Sequence, residues 1–170
     1  MGNAWYVDTL VVVNTANEES DALMQYDLHT TAVLDKQFAD LAAKNGSMVN
    51  GQIVNTSDSL ASVKLTSYSP KALEYEAHSS QPGTIVFSEI YYPHGWKAKI
   101  DGQPAEHFRV NYLLRALNVP VGQHHITFEF LPDSVEKGNW LSMFFVIVMY
   151  LIIAVCVVFG IKKYVKEAKG

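Results

Sequence analysis

The sequence predicts a mainly β protein with a small α/β lead-in, an antiparallel β-sandwich and one C-terminal transmembrane helix. Three observations carry that expectation. Apolar residues alternate with period two from Ala61 to Phe130, the pattern of strands with one wet face. Residues 1–45 mix that period with helical spacing and capping residues. From Leu141 to Ile161 the chain runs 21 residues without a charge, enough for a helix to cover roughly the 30 Å hydrocarbon layer at about 1.5 Å per residue. The implied divisions are a small α/β segment over 1–45, a connector over 46–58, the sandwich over 59–133, the span over 140–161 and a basic tail over 162–170.

Each element has a local cause. Trp5, Val7, Thr9, Val11 and Val13 read as one face of a strand, and Thr15 with Glu18 has the spacing of a capping box opening a helix through Ala22 and Leu23. A short strand at Thr31 to Leu34 follows, and Asp35 caps a helix that places Phe38, Leu41 and Ala42 on one side. The run NGSMVNGQIVNTSDS is rich in Gly, Asn and Ser and reads as a connector with one short strand around Ile53. Beyond it, Ala61/Val63/Leu65, Leu73/Tyr75/Ala77, Trp96/Ala98/Ile100 and Ile126/Phe128/Phe130 form alternating strands, and Asp101-Gly102 supplies a tight hairpin turn before Phe108 and Val110. Thr84 to Tyr92 and Leu113 to Val119 are more evenly apolar and should be buried on both faces.

Charge is split along the chain. Residues 1–139 carry nine Lys/Arg against 16 Asp/Glu, a net of −7, and residues 140–170 carry four against one, a net of +3. Lys162, Lys163, Lys166 and Lys169 follow the apolar run, so the basic-residue rule puts the tail in the cytoplasm and residues 1–139 outside it. The opening MGNAWYVDTL lacks the basic and apolar regions of a signal peptide. The expectation is therefore a C-terminal piece of a longer polytopic protein in the bacterial cytoplasmic membrane. Its partners would be membrane lipid and the remaining transmembrane helices of that parent. The competing reading is a tail-anchored protein with a cytosolic domain. An acidic body argues against nucleic acid, and Cys156, the single cysteine, rules out a disulfide framework within one chain.

No motif on the chain carries catalysis. The histidines show no ligand spacing, so no metal and no cofactor are expected. Glu74 and Glu76 share only the wet face of a strand, and no phosphate loop, GxSxG elbow or HExxH helix occurs. One cluster stands out: Tyr91, Tyr92, Trp96, Arg109, Asn111, Tyr112 and Arg115 crowd into 25 residues. Such residues stack on sugar rings, hydrogen-bond hydroxyls or pair with anions, so a glycan or polyprenyl-phosphate sugar is the candidate ligand. The structural alternative is that the rings fill a core and the arginines clamp a loop.

GNAWYV, NTANEESDAL, VLDK, FSEIYYPHGWKAKIDG and RVNYLLRALNVPVGQHHITFEFLP, in that order, resemble the C-terminal end of the YfhO family of bacterial polytopic membrane proteins. The resemblance implies many transmembrane helices, similarity to lipid-linked-sugar glycosyltransferases of the GT-C type, and a part in glycosylating cell-envelope polymers. It also implies a β-rich portion outside the cytoplasmic membrane. In such enzymes the catalytic acid lies in an early loop that this chain does not contain, so no catalytic residue carries over. The resulting expectation is a non-catalytic extracytoplasmic module. A free-standing, membrane-anchored carbohydrate- or ligand-binding module is the alternative.

Overall fold

The computed structural model describes residues 2–132, 140, 142–153, 157 and 161, which fall into two units, residues 1–131 and 132–170. In the first unit, strand β1 (Ala4–Val7) is followed at once by β2 (Thr9–Val13), α1 (Ala16–Ala22) and β3 (Thr31–Asp35). A 3₁₀ turn over Lys36–Phe38 leads into α2 (Ala39–Ala42), and then come β4 (Ser47–Val49) and β5 (Gln52–Val54). Eight further strands follow: β6 (Ser62–Ser69), β7 (Ala72–Ser79), β8 (Gly83–Ile90), β9 (Trp96–Ile100), β10 (Gln103–Ala105), β11 (His107–Val110), β12 (Leu114–Val119) and β13 (Gly122–Phe130).

These strands make three sheets. A middle sheet has the order β1-β8-β12-β11, an outer sheet β10-β9-β13-β7-β6, and a mixed sheet β3-β2-β5-β4 in which β2 and β3 are parallel. The middle sheet is covered on both faces. Ile85, Phe87, Leu117 and Val119 share one core with Leu73, Tyr75, Ile126 and Phe128 of the outer sheet. Val86, Phe108, Val110 and Ala116 share a second core with Leu10, Ala32, Leu34 and Ile53 of the mixed sheet. Alternation along a strand sends successive side chains to opposite faces, so a strand between two cores reads as an unbroken apolar run, as β8 does over Gly83–Phe87.

The lead-in is joined to the middle sheet by asparagines. Asn55 donates Nδ2–H to the Val7 carbonyl (2.9 Å), Asn118 to Leu41 (2.7 Å) and Asn45 to Val119 (2.9 Å). These amides supply donors to backbone carbonyls where the layers meet, and buried carbonyls need such partners. The capping box is present: Thr15 accepts from the Glu18 N–H (3.2 Å), while Glu18 accepts from the Asn14 N–H (2.9 Å). Asp35 caps the next turn through the Gln37 N–H (2.9 Å).

Three expectations change. The β architecture is mainly β, but it has a third, mixed sheet in addition to the antiparallel layers. The apparent single strand over residues 5–13 breaks at Asp8, because β1 pairs with β8 while β2 pairs with β3 and β5. The alternation looks continuous because β2 is itself buried on both faces, with Val11 and Val13 in a third small core beside Ala22 of α1. The C-terminal transmembrane helix is also corrected. Among the described residues no helix is long and apolar enough to cross a membrane. The unbroken described helix runs over residues 142–153, about 18 Å at roughly 1.5 Å per residue, against a hydrocarbon layer of roughly 30 Å. The other positions of the expected 140–161 span, and all of the 162–170 tail, lie outside the described residues except for 140, 157 and 161.

Candidate functional site

An open cleft of about 390 Å³ lies where the middle and outer sheets meet the lead-in. Phe38 and Leu41 form one side, Tyr91 and Pro93 come from the β8–β9 turn, and Trp96, Lys97 and Ala98 come from β9. Pro104, Ala105, Glu106 and His107 close it from the β10–β11 side. The rings touch edge to face: Phe38 with Tyr91 at 5.6 Å, Tyr91 with His107 at 5.3 Å and His107 with Phe128 at 5.8 Å between centroids. Edge-to-face contact sets the positive rim of one ring on the negative face of the next. The turn that carries Tyr91 and Pro93 depends on Gly95, where a Cβ would strike the rings of Phe130 and Tyr92.

Beneath Trp96 lies Arg115, which is 1% exposed. Its guanidinium stacks 4.6 Å from the Trp96 centroid and 4.8 Å from that of Phe128. A desolvated cation over an aromatic face gains about 2 kcal/mol. Its nearest carboxylate, Glu89, is 3.9 Å away, and neither Nε nor Nη1 has a hydrogen-bond partner. β8 places Glu89 there with a bulge: Phe87 faces Arg115 and Ile90 faces Leu114, leaving Ser88 and Glu89 without counterparts on β12. His107 feels the same surroundings. Burial, then the charges of Arg115 and Lys97, push its pKa down to about 4, so it is neutral at pH 7. Tyr75, buried beside Phe128 with its hydroxyl unpartnered, is pushed up to about 12 by burial first and by Glu89 second.

The sequence-selected residues divide into two places. Tyr91 and Trp96 line the cleft, Arg115 lies behind Trp96, and Tyr92 is exposed and stacked near Phe130 at 6.5 Å. Arg109, Asn111 and Tyr112 form a separate knot. The buried Glu19 carboxylate accepts from Arg109 Nη2 (2.9 Å) and from the Tyr112 N–H (2.7 Å), and Arg109 Nη1 donates to the Tyr112 carbonyl (3.0 Å). Burial raises the Glu19 pKa, against the lowering by the Tyr112 N–H and by Arg109. Asn111 pairs with the Val33 backbone in both directions, N–H to carbonyl (2.6 Å) and Oδ1 from N–H (2.8 Å). Asn111 and Tyr112 both have left-handed backbones, with φ of 50° and 67°; this is ordinary for Asn but strained for Tyr. Phe38, Leu41, Glu106 and His107 were not selected from the sequence. The one signal for them was the Asp35-capped turn, which fixes Phe38 at the cleft edge.

Among the described residues no three His, Cys, Asp or Glu side chains converge as a metal site would require. The cleft is thus an aromatic trough with two charged residues at its wall, suited to holding a ring with polar edges. No curated protein and no solved structure matches the chain. The family model for the bacterial membrane protein YfhO matches residues 9–142, a stretch that contains both the cleft and the Glu19 knot. By that match over most of its length, the chain belongs to the YfhO family of bacterial membrane proteins.

Proposed function

We propose that the β unit is a non-catalytic, extracytoplasmic module of a YfhO-family protein that takes part in glycosylating cell-envelope polymers. Its cleft holds a glycan or the head of a polyprenyl-phosphate sugar. The observation that supports this reading is the cleft wall of Trp96, Tyr91, Phe38 and His107, with Lys97 and Glu106 beside them. Trp96 and Tyr91 offer faces to a sugar ring, and neutral His107, Lys97 and Glu106 offer hydrogen bonds to its hydroxyls. Arg115 acts through Trp96, holding the indole in place and adding positive potential behind it. Membrane lipid and the other helices of a longer parent are the remaining partners in this reading.

The test titrates the full chain in detergent with a short-chain prenyl-phosphoryl hexose and, separately, with the free hexose. Binding should be saturable and should weaken at least about tenfold in Tyr91→Ala, a loss in the range of one stacking contact. Arg109→Ala, away from the cleft, should bind normally once folded. Equal binding by wild type and Tyr91→Ala, or no binding of either ligand, would overturn the reading. Placement is tested by a membrane-impermeant thiol label on Val121→Cys, an exposed turn position. Labelling in intact cells supports an extracytoplasmic unit, and labelling only after lysis refutes it.

A further inference from the structure

We infer that the end of the β unit formed by the β6–β7, β8–β9 and β11–β12 turns and the exit of β13 is a lipid-facing surface, seated on anionic headgroups. Hydrogen bonds join these four pieces into one patch. The Tyr91 N–H donates to the Leu113 carbonyl (2.8 Å), the Leu131 N–H to Gly95 (2.7 Å) and the Phe130 N–H to Lys71 (2.8 Å). Six large apolar or aromatic side chains are exposed there: Tyr68, Ile90, Tyr92, Tyr112, Leu113 and Leu131. A soluble surface seldom gathers such residues in one place without a partner.

Charge selects the partner. The body of the chain is acidic, yet residues 68–71, 90–95, 111–113 and 130–132 contain no Asp or Glu and include Lys71 and His94; of the acids that border them, Glu89 lies 3.9 Å from Arg115, Glu129 pairs with Lys99 at 2.8 Å, and Asp133 follows in the sequence. Tyr, Leu and Ile with scattered basic residues are what the boundary between headgroups and acyl chains prefers. The strained backbone at Tyr112 fits this use. Its left-handed φ is held by Glu19 and Arg109, and the result is that Tyr112 and Leu113 project outward, each about half exposed at 48% and 50%. The chain leaves the unit from this same end, at Leu131. Membership of a membrane-protein family supplies the surface. The inference rests on that membrane setting and not on the cleft, so lipid contact and sugar binding fail separately.

The experiment uses the full chain with Cys156→Ala, incorporated into vesicles of phosphatidylethanolamine and phosphatidylglycerol containing acyl-chain spin-labelled lipid. A small fluorophore is attached in turn to Leu113→Cys, Ile90→Cys and Val121→Cys, the last at the opposite end of β12. Quenching should be several-fold stronger at the first two positions than at Val121. Equal quenching at all three, or none at Leu113 and Ile90, would overturn the inference. A second variant adds Leu113→Asp to the Ile90 label. Loss of Ile90 quenching with an unchanged melting temperature supports a lipid seat, and retained quenching refutes it.

Discussion

Arg109 and Arg115 are direct cross-strand partners on β11 and β12, a placement that would set two like charges against each other. They separate by turning to different surroundings. Arg109 spends its donors on a buried carboxylate and a backbone carbonyl, while Arg115 enters the aromatic core with two nitrogens unmatched. The first arrangement is a staple: it fixes α1 to the β11–β12 turn and holds Tyr112 in a conformation it would not choose. The second costs stability and leaves a positive charge one ring away from the cleft. Satisfied burial of charge marks the staple here, and unsatisfied burial marks the wall behind the cleft.

The widest break in that contrast should come from Arg109→Ala. It strands a buried Glu19 and should lower unfolding free energy by about 3 to 5 kcal/mol in a urea titration; a loss below about 1 kcal/mol would show that the knot is not a staple. Asn111→Ala removes the side-chain partner of the Val33 N–H and should cost about 1 to 3 kcal/mol by the same measurement. Arg115→Met keeps volume and discards the unmatched cation, so stability should be unchanged or rise by about 1 kcal/mol. A loss above about 3 kcal/mol would show the guanidinium to be satisfied, and the contrast between the two arginines would dissolve.

The smallest effect is a pH dependence far from both sites. His124 Nδ1 lies 2.6 Å from Asp101 Oδ2 and its Nε2 lies 3.1 Å from the Val121 carbonyl, so both contacts are hydrogen bonds only when the ring is protonated. The Asp101 hydrogen bond raises the His124 pKa, and the same bond lowers that of Asp101. The His contribution is therefore complete below its ordinary value of about 6.5 and lost as pH rises through the raised one. The Asp contribution is present above about 3.8 and lost as pH falls through the lowered one. Exchange of the His125 N–H, which donates to Asp101 (2.8 Å), should be slowest between these limits. A flat exchange profile across them, after correction for intrinsic rates, would remove the coupling.

Legibility in the sequence followed how local each cause is. The alternation of β7, β9 and β13, the Thr15–Glu18 box and the Asp101-Gly102 turn need only near neighbours, and each reads directly. Asn50-Gly51, both at positive φ between β4 and β5, carried an equally local hairpin signal inside the Asn- and Gly-rich stretch. The mixed sheet and the break at Asp8 depend on which distant strand each half of an apolar run pairs with. Tyr91 and Trp96 could be picked out because their chemistry is conspicuous and close together. Glu19 could not, because on a short helix it looks solvated, and only an arginine 90 residues later makes its burial tolerable. The 21-residue apolar run shows the opposite failing: composition speaks to the solvent a segment suits, and the continuous described helix there covers only part of it.

Ala4 pairs with Phe87 and Val7 with Thr84, so the opening strand belongs to the sheet on which both large cores rest. During synthesis at about 5 to 20 residues per second, that strand waits roughly 4 to 16 seconds for its mate. In the interval α1 and the parallel β2–β3 pair can form from local contacts alone, while β1 still lacks its partner in the middle sheet. Until the second half emerges, β1 is a four-residue apolar edge with no sheet partner.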